Sequence, residues 1–131
     1  MPSRRRPCGD VGATTVELVL VLPVFMGVVL LIVQAGMVVF AAQVVEDAAQ
    51  HAVEAARGEH DARAAGVTRA NMLLATTGVV TDTSVEVTRD GERVTVDITG
   101  AAPRVVPGVA LRVASTASAV VERFRSQPER S

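Results

Sequence analysis

The chain has 131 residues, a net charge of −1 and 49% hydrophobic residues, and its only aromatic residues are three Phe. A near-neutral chain without Trp or Tyr lacks the basic footprint that nucleic acid binding needs and the stacking platforms that hold bases or sugars. Cys8 is the single cysteine, so no internal disulfide forms, and what a membrane segment leaves over suffices for one small domain.

Charge is unevenly placed. Residues 1–12 carry Arg4, Arg5, Arg6 and one acid, Asp10, while ten of the 13 basic residues and 13 of the 14 acids lie beyond them. All the basic residues are Arg, a compositional habit rather than chemistry. Basic residues ahead of an apolar run hold that flank in the cytoplasm, which sends the larger C-terminal part across the membrane. Cys8 precedes the apolar run, whereas a lipid-anchoring cysteine would follow it, so it reads as a bystander thiol in the leader.

The apolar run spans Leu18 to Val33, is interrupted once by Gln34, and continues from Ala35 to Ala42. Its total of 25 residues corresponds to about 37 Å of helix at 1.5 Å per residue, enough to cross a hydrocarbon core of about 30 Å. A secretory signal core is shorter, and the small-residue positions that would allow its removal, after Ala35 or Ala41, are weak sites. Pro23 cannot donate to the carbonyl of Val19, which predicts a kink or local loosening. Gly27, Ala35, Gly36, Ala41 and Ala42 are small enough for close helix approach, although no Gly-x-x-x-Gly pair is present. Gln34 has two readings: a hydrogen bond to a neighbouring helix, or a position among lipid headgroups. At the other end of the run stands Glu17. A carboxylate at the helix centre costs about 2.5–3.5 kcal/mol and less near the interface, so its placement needs a reason.

Residues 43–57 continue the same helix, with Val45, Ala48, Ala49, Ala52 and Ala56 on one face and Glu46, Asp47, Gln50 and Glu54 on the others. Gly58 fits a C-cap, giving a helix from about Thr14 to Arg57. A second helix is expected over 61–77, with Ala64, Ala65, Val67, Ala70, Leu73 and Leu74 as its apolar set, weakened by Gly66 and ended by Gly78. From Ser84 the period becomes two. Val85 and Val87, then Val94, Val96 and Ile98, flank Asp90-Gly91, a favoured two-residue turn that would set Val87 opposite Val94 and Val85 opposite Val96. Pro103 and Pro107 bracket a loop. Residues 110–124 read as a third strand on the parity of Leu111, Val113, Ala117, Ala119 and Val121, with helix as the competitor. A lone hairpin is marginal, so a third strand or the helix must cover its apolar face.

The expected fold is therefore α+β: a long N-terminal transmembrane helix extending into a small extracytoplasmic domain with a short helix and a three-stranded antiparallel sheet. Its divisions are a basic leader at 1–12, the transmembrane and extended helix at 13–57, the domain at 58–124 and a disordered tail at 125–131.

Gly12 through about Ala42, and TTVELVLVLPVF above all, resembles the TadE family, the pilin-like minor subunits of Tad/Flp pilus systems. Members carry a short basic leader, a Val-Glu pair, an apolar helix with an early Pro and a small β-rich outer region. The resemblance implies cleavage between Gly12 and Ala13 by a prepilin peptidase and assembly with other pilins and Tad-type assembly proteins in the cytoplasmic membrane. Glu17 would become the fifth residue of the mature chain and act with Leu18 in recognition and assembly. One departure stands out: relatives often have Phe or Tyr after the Glu, where this chain has Leu18.

The residues themselves make no enzyme. His51 and Glu54, with His60 and Asp61, do not form a His-Glu-x-x-His site, and neither Thr14, Thr15 nor Ser115-Thr116 has a paired His. No Gly-rich phosphate loop exists. No cofactor, metal, nucleic acid or small-molecule substrate is expected; the bilayer is the first partner. Two readings remain: a minor pilin or pseudopilin cut after Gly12, or an unprocessed single-pass anchor whose outer domain binds an envelope partner.

Overall fold

A computed structural model describes residues 11–58 and 61–121. Five elements follow in chain order: α1 (Val11–Gly58), α2 (Ala62–Thr77), β1 (Thr81–Asp90), β2 (Arg93–Ala101) and β3 (Arg112–Val120). This is the α+β architecture that the sequence predicts. The tail at 125–131, the leader up to Asp10, and His60 lie outside the described residues.

The helix α1 runs unbroken through Pro23. Its two halves differ in what covers them. From Val16 to Val33 the large apolar side chains are exposed, Leu18 at 66%. From Ala41 onward one face is fully buried: Ala41, Val45, Ala48, Ala49, Ala52 and Ala56. The face predicted from helical spacing is therefore the core face. Its alanines are small, which lets the sheet and α2 lie close against α1.

The helix α2 begins where the Asp61 carboxylate accepts a hydrogen bond from the Ala64 N–H at 3.2 Å. It ends at Gly78, which adopts the left-handed conformation at φ 61° and donates its N–H to the Leu74 carbonyl. Its buried row is Ala62, Gly66, Ala70 and Leu74, spaced by four, while Ala64 is exposed. The expected apolar set thus lay partly off the contact face. Gly66 explains the offset. A Cβ there would meet Val87 Cγ2 at 3.1 Å and the Ala52 carbonyl oxygen at 3.3 Å, so the helix crossing is centred on the residue that had seemed to weaken it.

The strands form one antiparallel sheet in the order β1-β2-β3. Its inner face supplies Val87, Val94, Val96, Ile98 and Val113 to the core. Burying a side chain of this size stabilises by about 1.5–3 kcal/mol. The sheet register differs from the expected one by two residues: Val87 faces Val96, Val85 faces Ile98, and Asp90 faces Arg93. The turn is Gly91-Glu92, not Asp90-Gly91. Gly91 takes φ 59° and no positive φ falls at Glu92, the pattern of a type II′ turn with glycine first. A slip of two keeps every side chain on its predicted face.

Residues 112–120 are strand, with Val94 opposite Ala119 and Val96 opposite Ala117. Beyond the strand ends, the ladder continues through bonds from the Ala102 N–H to the Leu111 carbonyl at 2.9 Å and from the Val121 N–H to the Glu92 carbonyl at 2.6 Å. On the outer face the Thr116 hydroxyl donates to the Asp97 carboxylate. Gly100 permits the close approach of β2 to the chain entering β1: a Cβ there would fall 2.2 Å from Val80 Cγ1.

Candidate assembly and processing segment

The N-terminal half of α1 holds every residue singled out for processing and assembly. Gly12 and Ala13 fall within the first helical turn of α1. Glu17 is exposed one turn further along, and Leu18 beside it is exposed too. Ala13 and Glu17 are four apart, which in a helix puts them on one face about 6 Å apart along the axis. From Leu18 to Val45 the chain has no acidic or basic residue, so Glu17 is the last such side chain before a long apolar interval.

Pro23 and Gly27 lie within the bare stretch. A Cβ at Gly27 would meet nothing within 4 Å, and the same holds at Gly36. Neither glycine is required by a contact within this chain, in contrast to Gly66 and Gly100. Leu18 to Val33 spans 16 residues, about 24 Å of helix, somewhat short of the roughly 30 Å of a bilayer core.

Gln34 closes that stretch, and it does neither of the things expected of it. It is 4% exposed. Its side-chain NH2 donates to the Pro103 carbonyl at 3.1 Å, and its oxygen accepts from the N–H groups of Val105 at 2.8 Å and Val106 at 3.1 Å. The amide therefore clamps the loop between β2 and β3 onto α1. The uncovered span is correspondingly shorter than the apolar run, because Ala41 and its neighbours serve the domain core.

The remaining polar candidates are dispersed. His51 and Glu54 are exposed and 3.9 Å apart on α1. Asp61 serves as the α2 cap. Among the described residues no group of three or more metal-binding side chains assembles.

The architecture is a helix bare at one end and built into a small domain at the other. Residues 12–56 match the family model of TadE-like proteins. This is the family that the Gly12–Ala42 segment resembles. The TadE-like match covers almost all of α1 and stops before α2, so α2 and the sheet lie outside it. It suggests a minor-pilin-like protein associated with a Tad pilus, a structural class rather than a catalytic one. The long apolar α1 is compatible with a single-pass anchor in such a system. No curated protein and no solved structure matches the chain.

Sequence reasoning missed the Gln34 clamp. The signal was present in two places: one polar residue inside an apolar run, and a loop at 103–111 with Arg104 as its single polar side chain.

Proposed function

We propose that the chain is a TadE-like minor pilin or pseudopilin, a structural component of a Tad/Flp-type pilus or secretion filament. Its N-terminus lies in the cytoplasm and its α2 and sheet lie outside the cytoplasmic membrane. A prepilin peptidase cuts between Gly12 and Ala13, and the mature subunit assembles with other pilins and the Tad assembly proteins. The observation that carries this reading is the division of α1: a bare apolar half within the TadE-like match, continuous with a half that forms the core of the outer domain.

Cleavage would create an α-amine on Ala13. Glu17 would compensate it, in its own chain or a neighbour's, because a charge in a low-dielectric region costs least beside its opposite. Leu18 keeps the helix apolar without the aromatic ring that relatives often carry. A secretory cut after Ala35 or Ala41 fits the geometry poorly, because it would discard Gln34 and release the loop it clamps.

The test is the N-terminus of the mature membrane-bound protein, read by mass spectrometry in the native host with and without its prepilin peptidase. A start at Ala13 that depends on the peptidase is expected. A start at Met1 or Pro2 would mean an unprocessed anchor, and a start after Ala35 or Ala41 a secreted protein. Glu17→Ala should then lower filament incorporation; incorporation at wild-type abundance would reject the charge-pair role.

A further inference from the structure

The β2–β3 loop, residues 103–111, reads Pro-Arg-Val-Val-Pro-Gly-Val-Ala-Leu. A connection running over a surface in water is ordinarily polar, because its backbone groups need partners. This loop has satisfied much of its backbone without water. Pro103 and Pro107 bring no N–H. Gln34 takes the N–H groups of Val105 and Val106 and the carbonyl of Pro103. The Val109 N–H donates to the Val106 carbonyl, and the Leu111 carbonyl accepts from Ala102. Irregular backbone at the edge of hydrocarbon is tolerated only on such terms.

Its height points the same way. Gln34 directly follows the bare stretch and lies about 26 Å along the axis from Glu17 at its other end, a distance near the thickness of a bilayer core. The loop bonded to Gln34 therefore sits at the outer edge of the acyl region. In the loop Leu111 is 40% exposed, and on α1 about 9 Å beyond Gln34 Phe40 is 47% exposed. Arg104, the one charge in the loop, is exposed as well.

We propose that the 103–111 loop is a membrane-interface element, seated at the headgroup–acyl boundary of the outer leaflet. Val109 and Leu111 contact acyl chains, and Arg104 pairs with lipid phosphates. The contact fixes the height of the outer domain above the bilayer. A lipid surface suits the loop better than a neighbouring subunit because the loop is continuous in height with the lipid-length bare helix and adds a cation at the phosphate level. The inference rests on the reading that α1 spans the bilayer.

The chain has no Trp and no Tyr, so a single introduced Trp reports alone. The full-length chain carrying Val109→Trp or Leu111→Trp is reconstituted in phosphatidylcholine–phosphatidylglycerol vesicles, with and without bromine on the acyl chains. Leu22→Trp reports on the span and Thr88→Trp on the exposed sheet. Both loop variants should emit to the blue of Thr88→Trp and lose part of their intensity to the bromolipid, less than Leu22→Trp does. If Leu22→Trp is quenched while both loop variants behave as Thr88→Trp, the helix spans but the loop faces water or protein, and the proposal fails. If Leu22→Trp is not quenched either, the spanning reading fails and takes the proposal with it.

Discussion

Replacing Gln34 by Ala removes a side chain that ties α1 to the β2–β3 loop by three hydrogen bonds. Three bonds are lost, each worth about 0.5–1.5 kcal/mol net, or roughly 3 kcal/mol together. Freeing the Gln side chain returns part of its rotamer entropy, on the order of 1 kcal/mol here because the full value for a long side chain is about 1.5–2. Pro103, Val105 and Val106 are half-buried, so water can reach the orphaned groups, and the larger penalty of a fully buried unpaired group does not apply. The loop should therefore undock about 2 kcal/mol more readily, which at 1.4 kcal/mol per decade is roughly 30-fold. Amide hydrogen exchange of the full-length chain in lipid nanodiscs reads this directly at Val105 and Val106. The central sheet amides of Val94 and Val96 should keep their protection. Gln34→Met retains length and apolar volume without the bonds and should behave as the Ala variant does. Unchanged exchange at Val105 and Val106 in Gln34→Ala, or full protection restored by Met, would refute the clamp and leave packing as the cause.

Further tests address α2 and the sheet. Gly100→Ala places a Cβ 2.2 Å from Val80 Cγ1. It should cost about 1–3 kcal/mol by overpacking and lower the thermal midpoint of the solubilised chain. Gly66→Ala should cost less, because a contact of 3.1 Å to Val87 is offset by a helix-propensity gain of about 1 kcal/mol. Equal midpoints for Gly100→Ala and wild type would show that the β1 entrance is not tightly packed. At the ends of α2, Asp61→Ala removes a cap worth about 1 kcal/mol, and Gly78→Ala forces a side chain into the left-handed region at roughly 1–2 kcal/mol. Both should raise exchange in the terminal turns of α2 and leave β2 unchanged.

Much of the fold was legible because it is written in local periods. The alanine face of α1, the Asp61 and Gly78 boundaries of α2 and the alternation in all three strands each depend on residues a few positions apart. The hairpin register was not legible to the residue, because Asp90-Gly91 and Gly91-Glu92 both place glycine in a two-residue turn, and packing of the whole sheet chooses between them. Gly66 looked like a defect because propensity counts what a residue does to its own helix and ignores what a missing Cβ lets a neighbour do. Gln34 was beyond local reasoning: its partners lie 69 to 72 positions away, and an apolar run with one polar residue fits several outcomes. Gly12, Ala13 and Glu17 are a different case. Their proposed roles belong to a cleavage and to a neighbour, and a single chain holds neither.

Two polar residues bound the bare stretch of α1, and they are handled in opposite ways. Gln34 turns its oxygen and an N–H donor to the β2–β3 loop and is nearly absent from the surface. Glu17, 17 residues earlier and about 26 Å away along the axis, remains exposed and ionisable. The amide joins the β2–β3 loop to α1 at the point where the domain begins, and adds to the alanine face that packs the sheet and α2 on the same helix. This junction has a consequence for assembly. If Glu17 pairs with the new amine of a neighbouring subunit, its axial position is set by that charge pair, and the domain must follow at a fixed distance. Loosening Gln34 should then blur the spacing of the domains along a filament at unchanged incorporation, whereas losing Glu17 should lower incorporation without altering the domain. Opposite phenotypes from the two ends of one helix would separate recruitment from positioning.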